Sequence, residues 1–103
     1  MYNLFLDDER MPIDCRVYRG DESVYEKESF VVVRNFDEFY KTLKEKGIPK
    51  FVSFDYELNS EEDGLCCAEF LKFECLELGV DIPKYNVHSF WPGIFTRFKE
   101  ILG

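Results

Sequence analysis

Two adjacent aspartates, Asp7 and Asp8, close the apolar run Leu4-Phe5-Leu6 in the stretch LFLDDERMP. A solvated turn uses one acidic side chain to hydrogen-bond its own backbone and has no need of two. Neighbouring carboxylates also repel unless positive charge lies beside them. The pattern recurs: Phe51-Val52-Ser53-Phe54 runs into Asp55, with Glu57 two residues on, and Tyr85-Asn86-Val87 runs into His88-Ser89. A shared divalent cation would reconcile the acids. Asp7, Asp8 and Asp55 offer the hard oxygens that Mg²⁺ (or Mn²⁺) prefers, leaving positions for water and a substrate phosphate, and Glu57 adds a direct or outer contact. His88, the chain's one histidine, could pass a proton to a leaving oxygen or orient an attacking water. With Ser89 it precedes Pro92, where a last helix is expected to start, so both could meet a phosphate at that helix N-terminus. The plainer alternatives are acids that end strands in solvent and a lone histidine that is a satisfied structural residue.

For these groups to meet, three strands must run the same way and end along one edge, which is where open α/β folds bind ligands. The chain supplies the strands. Tyr2–Leu6 is short and apolar, Phe30–Val33 is a β-branched run, and Phe51–Phe54 and Tyr85–Val87 follow. Helical spacing lies between them. Phe36, Phe39, Tyr40 and Leu43 fall at i, i+3, i+4 and i+7, behind Asn35 with Glu38 three residues later, a capping-box spacing, and Gly47 and Pro49 stop the helix. From Asp63 to Leu78, residues Leu65, Ala68, Phe70, Leu71, Phe73, Cys75 and Leu76 predict one wide apolar face ended by Gly79. Pro92 suits the first turn of a helix carrying Ile94, Phe95, Phe98, Ile101 and Leu102. This order predicts one α/β domain over residues 1–103: three layers, a mostly parallel four-stranded sheet, and helices on both faces. The polar segment Ile13–Ser29 fits a hairpin, a short helix or a mobile loop.

The bulk numbers agree with a single packed core. The chain has 103 residues, of which 46% are hydrophobic and 17% aromatic, so disorder is not expected. A net charge of −8 argues against general nucleic-acid binding, which needs Lys and Arg for the phosphates. It leaves room for a small phosphate ligand held with a metal ion. The longest apolar runs are strand-length, far short of the ~20 residues of a membrane span, and no secretory leader is visible. Four cysteines, Cys15, Cys66, Cys67 and Cys75, read as small core residues of a cytoplasmic protein. A zinc site is the sharper alternative, but there is no CxxC pair.

Taken together, Leu6-Asp7-Asp8-Glu9-Arg10 with Pro12, Asp55-Tyr56-Glu57-Leu58, Asp63-Gly64 and His88-Ser89-Phe90-Trp91-Pro92 resemble the cyclic-phosphate-processing receiver-like family. That family is a stand-alone relative of the response-regulator receiver domains of bacteria and their phages. The resemblance spans most of the chain, and LDDER combined with HSxxP is its specific part. It implies a reduced receiver or flavodoxin-like fold and a hydrolase of cyclic nucleotide phosphates. Asp7, Asp8 and Asp55 (with Glu57) would hold Mg²⁺ or Mn²⁺, His88, Asp55 and Ser89 would act on the phosphate, and Arg10 would pair with the acids or touch phosphate. Tyr56 stands where the family has histidine, Glu57 where it has a second aspartate, and Trp91 where it has asparagine. A tyrosine cannot take up a proton near neutral pH as a histidine does, so a second reading is a receiver-like module that binds a nucleotide, or docks on a partner protein, without turnover. Tyr56 and Trp91 would then stack on a base or anchor an interface. An ordinary receiver also uses a lysine after a fifth strand, absent here, which disfavours a phosphorylation switch.

Overall fold

Four short apolar segments pair as strands because alternate residues can be buried on both faces of the sheet. The protein's structure, a computed structural model, describes residues 2–15, 29–89 and 91–103. Its strands are β1 (Asn3–Leu6), β2 (Phe30–Val33), β3 (Phe51–Phe54) and β4 (Lys84–Val87), all parallel, in the order β2-β1-β3-β4. The helices are α1 (Phe36–Lys46), α2 (Gly64–Leu78) and α3 (Ile94–Leu102). This is the expected α/β class. The direction of winding reverses between β1 and β3, the position where such sheets open a crevice beyond their carboxyl ends.

Register decides which side chains share a face. Leu4 lies level with Val31 and Val52, and Leu6 level with Val33, Phe54 and Val87. These residues form one core with Phe39, Leu43, Leu65, Leu71, Ile94 and Phe98 from the three helices, which pack side by side, α1 against α2 and α2 against α3. Phe5, Ser53 and Asn3 point the other way by the two-residue period and are also buried. Phe30 meets Phe5 and Phe51 edge-on on that face. Among the described residues all three helices pack on the Leu4 and Leu6 face, so the expected helices on both faces are not seen there; most of Ile13–Ser29 lies outside the described residues. The start of that segment belongs to a 3-10 turn, Pro12–Cys15.

Local signals place the helices. The Asn35 carboxamide oxygen accepts the Glu38 N–H at 2.9 Å, while the Glu38 carboxylate accepts the Arg34 N–H at 2.8 Å, a capping box displaced by one residue. Asp63 caps α2 by accepting the Cys66 N–H at 3.1 Å, and Gly79 closes it at φ 67°, a left-handed C-cap. Two expectations change. Helix α2 buries Leu65, Cys67, Ala68, Leu71 and Cys75 but leaves Phe73 and Leu76 exposed, because a 3.6-residue period turns positions 73 and 76 away from a face set by 68, 71 and 75. Pro92 also precedes its helix: Trp91 to Ile94 form a β-turn closed by the Ile94 N–H on the Trp91 carbonyl at 3.1 Å. Gly93 there has φ 75° and ψ 0°, the third-position geometry of a type II turn that favours glycine.

Candidate functional site

The site begins as an extension of the sheet. The Asp7 N–H bonds the Val33 carbonyl, the Asp55 N–H bonds Leu6, and the His88 N–H bonds Phe54, at 3.1, 3.0 and 2.9 Å. The ladder therefore runs one residue beyond each strand, and Asp7, Asp55 and His88 form a row across three neighbours. By the same parity their side chains leave on the Phe5 and Ser53 face. His88 is fully buried, stacked on Phe5 with centroids 4.6 Å apart. Its Nε2 lies 3.0 Å from Asp7 Oδ2, and its Nδ1 lies 2.7 Å from Ser53 Oγ.

Charge assigns the protons. Burial pushes the Asp7 carboxyl up, but hydrogen bonds from His88, Arg10 and Glu9 and the Arg10 charge outweigh it, holding Asp7 well below the usual carboxylate range. Burial lowers the His88 pKa despite the Asp7 charge. A neutral imidazole beside a carboxylate donates from Nε2 to Asp7, which leaves Nδ1 to accept the Ser53 hydroxyl. Asp7 is thereby saturated. Its Oδ1 accepts the N–H groups of Glu9 and Arg10, both at 2.9 Å, and its Oδ2 accepts His88 and Arg10 Nε, the latter at 2.7 Å.

Arg10 reaches further, its Nη2 lying 3.4 Å from Asp55 Oδ1. Asp55 also accepts the Tyr56 N–H at 2.8 Å. Burial, and next the Asp7 charge, push the Asp55 carboxyl up to about 7, against the pull of Arg10. Asp8 leaves the row toward solvent and accepts the Asn59 amide, Asn59 holding φ 52°. Asp8, Asp55, Glu57, Arg10, Ser89 and Trp91 share the wall of one cavity of about 470 Å³, together with Glu9, Asn59 and Pro92.

Of the residues singled out in the sequence, that cavity collects Asp8, Arg10, Asp55, Glu57, Ser89 and Trp91. Asp7 and His88 lie in the buried row behind it. Tyr56 lies in an adjoining hollow, meets Trp91 edge-on at 5.9 Å, and carries the Arg97 guanidinium 5.8 Å above its ring. Trp91 is half exposed. Three participants were missed. Ser53 is the one polar residue of β3 and has the parity of Asp55, a signal that was legible. Arg34 ends β2 as the acids end β1 and β3, and its guanidinium donates to the backbone carbonyls of Asp7 (3.0 Å) and Arg10 (2.6 Å), bracing the loop. Asn59 sits in a polar loop with no pattern to mark it.

The donor chemistry fits a hard divalent cation. Several carboxylate oxygens, those of Asp8, Asp55 and Glu57, line one open cavity. Among the described residues, the cluster with ligand atoms within 4.8 Å of one another is Asp7, Asp55 and His88. It contains no cysteine, and Cys67 and Cys75 are free thiols in the core. Among the described residues, no helix is long and apolar enough to cross a membrane.

Comparison with known proteins completes the assignment. No curated protein matches this chain. A solved fusion carrying a yeast Spc42 trimeric coiled-coil segment is similar in fold, with a TM-score of 0.64 over 99% of this chain at 10% identity. The chain spans 61% of that structure's length. The sequence matches the cyclic-phosphate processing receiver domain over residues 2–101, nearly its whole length. The match takes in the whole four-stranded parallel sheet, and the chain belongs to the cyclic-phosphate processing receiver domain family.

Proposed function

We propose that this domain hydrolyses a cyclic nucleotide phosphate, or a closely related phosphoester, with the help of Mg²⁺ or Mn²⁺. The observation that carries the proposal is the shared cavity, where Asp8, Asp55 and Glu57 face Arg10, Ser89 and Trp91. Its size falls in the ~300–1,000 Å³ range of small-ligand sites. Asp8, Asp55 and Glu57 would hold the cation, with saturated Asp7 fixing the loop behind them. A bound divalent cation supplies neutralisation of phosphate oxygens and a lowered pKa for a nucleophilic water. Ser89 donates a hydrogen bond to a phosphate oxygen, Arg10 offers its guanidinium edge, and Trp91, propped by Tyr56, takes the base. His88 reaches the cavity only through Asp7, so we assign it to positioning: it fixes the carboxylate that orients Arg10.

The burial of His88 favours a second reading, in which the same cavity binds its nucleotide without turning it over. One experiment separates the two. Wild type, Asp8→Asn and Asp55→Asn are each incubated with 2′,3′-cyclic and 3′,5′-cyclic nucleotides and Mg²⁺ or Mn²⁺, and products and binding are both followed. Turnover lost in both variants supports hydrolysis. Equal, background-level cleavage in all three with binding in wild type alone supports the module. Neither turnover nor binding removes both.

A further inference from the structure

One carboxylate on the cavity wall has no task in the reading above. Glu9 is exposed, and its backbone is pinned because its N–H donates to Asp7 Oδ1 at 2.9 Å. Its side chain shares the wall with Trp91, which is half exposed. The other polar groups of that wall divide by chemistry. Asp8, Asp55 and Glu57 face the proposed cation. Among the described residues, Arg10 and Ser89 are the donors offered to the phosphate, and Asn59 is engaged by Asp8. The Trp91 indole N–H lies in the plane of its ring, out of reach of a base stacked on the ring face. Beyond the phosphate, the wall therefore presents Trp91, Pro92 and a carboxylate that can only accept. A base seated there meets an aromatic face that takes any base and a polar edge that rewards hydrogen-bond donors.

We propose that the nucleotide bound in this cavity carries guanine, and that the Glu9 carboxylate reads it. This deepens the reading above and rests on it, since it takes the cavity to hold a cation and a nucleotide phosphate. Guanine is the common base with two adjacent donors on its pairing edge, N1–H and the N2 amino group. The two oxygens of a carboxylate accept both side by side, as they accept the fork of an arginine. Adenine and cytosine each set a ring-nitrogen acceptor beside the amino group, and uracil flanks its N–H with two carbonyls. Against any of these a carboxylate gains one hydrogen bond at most and faces a repelling lone pair. Stacking on Trp91 thus supplies affinity without choice, and Glu9 supplies the choice.

The test measures binding of ring-opened products, so that turnover does not intervene. The 3′-monophosphates of guanosine, inosine, adenosine, cytidine and uridine are titrated with Mg²⁺ into wild type, Glu9→Gln and Glu9→Ala. Binding is followed by the emission of Trp91, the one tryptophan, which lines the same cavity. Wild type should bind the guanosine compound on the order of tenfold more tightly than those of adenosine, cytidine and uridine. Inosine, which keeps N1–H and lacks the amino group, should fall between. Glu9→Gln sets a donor beside an acceptor, the pattern that matches adenine, so adenosine should become the best ligand. Glu9→Ala should bring guanosine down to the level of adenosine. Equal wild-type affinity for guanosine and adenosine, or a guanosine preference that survives in the folded variants, overturns the base assignment and leaves the proposed function standing. Absence of binding by all of these nucleotides, with Mg²⁺ or Mn²⁺, overturns the proposed function itself. Should neither variant fold, the wild-type order decides, and inosine bound as tightly as guanosine overturns the assignment.

Discussion

Exchanging Asp55 for asparagine should stabilise the metal-free protein at alkaline pH and lose most of that advantage in acid. The wild-type carboxyl is raised from 3.8 to about 7 by burial and by the Asp7 charge. Below pH 3.8 it is protonated in both folded and unfolded chains and costs nothing. Between 3.8 and 7 the unfolded chain ionises freely while the folded one resists, so folding loses stability as pH rises, and the loss is complete above 7. Three units at 1.36 kcal/mol each give a full cost of about 4 kcal/mol, of which about 2 kcal/mol develops between pH 5.5 and 8. An amide can still accept the Tyr56 N–H that Asp55 Oδ1 accepts, so the exchange removes charge without orphaning that donor. Urea or thermal melts of wild type and variant at both pH values measure the gap. It should widen in the variant's favour by about 2 kcal/mol, or about 10 °C for a domain of this size. Added Mg²⁺ should stabilise wild type alone and narrow the gap at pH 8. A gap that stays constant across this range, with or without Mg²⁺, would refute the electrostatic account of the site.

Other expectations follow from particular contacts. Ser53→Ala removes the donor to His88 Nδ1, and should cost about 1–3 kcal/mol in a denaturant melt; ¹⁵N NMR of wild type should show the Nε2–H tautomer of His88. Gly64→Ala would put a methyl carbon 1.8 Å from the Asp55 carbonyl oxygen. It should destabilise by more than about 2 kcal/mol and weaken Mg²⁺ binding, because Asp55 and the start of α2 must move apart. Asn35→Ala should cost about 1 kcal/mol through loss of the α1 cap, and Trp91-detected Mg²⁺ binding should be unchanged, because Asn35 does not line the cavity.

Much of the site was legible because it obeys the sheet. The four strands, their parallel sense and the meeting of Asp7, Asp55 and His88 follow from apolar runs that end in polar groups. What could not be read was depth. Strand ends identify neighbours but do not say which side chain faces the cavity and which lies under it, so His88 and Asp8 looked equivalent in sequence. In the structure one stacks on Phe5 and the other meets Asn59. Arg34 was overlooked because its target is backbone, which has no sequence signature. The surface on α2 was misjudged for a related reason: its residues are apolar on nearly every side, so composition could not indicate that Phe73 and Leu76 point outward. Pro92 suits a first helical turn and a type II turn equally well, and the glycine after it decided between them.

The row formed by Asp7, Asp55 and His88 has one more consequence, for how this domain can change. Each residue gets its direction by being one step past a strand whose register with its neighbour is fixed by the ladder. Replacing any of the three alters a functional group but leaves the address intact. Inserting or deleting a single residue within β1, β3 or β4 inverts the pleat downstream and sends the side chain to the opposite surface. Libraries that vary side chains here should keep many folded members, and those that vary loop length should place the change beyond Arg10, Glu57 or Ser89, never before the row.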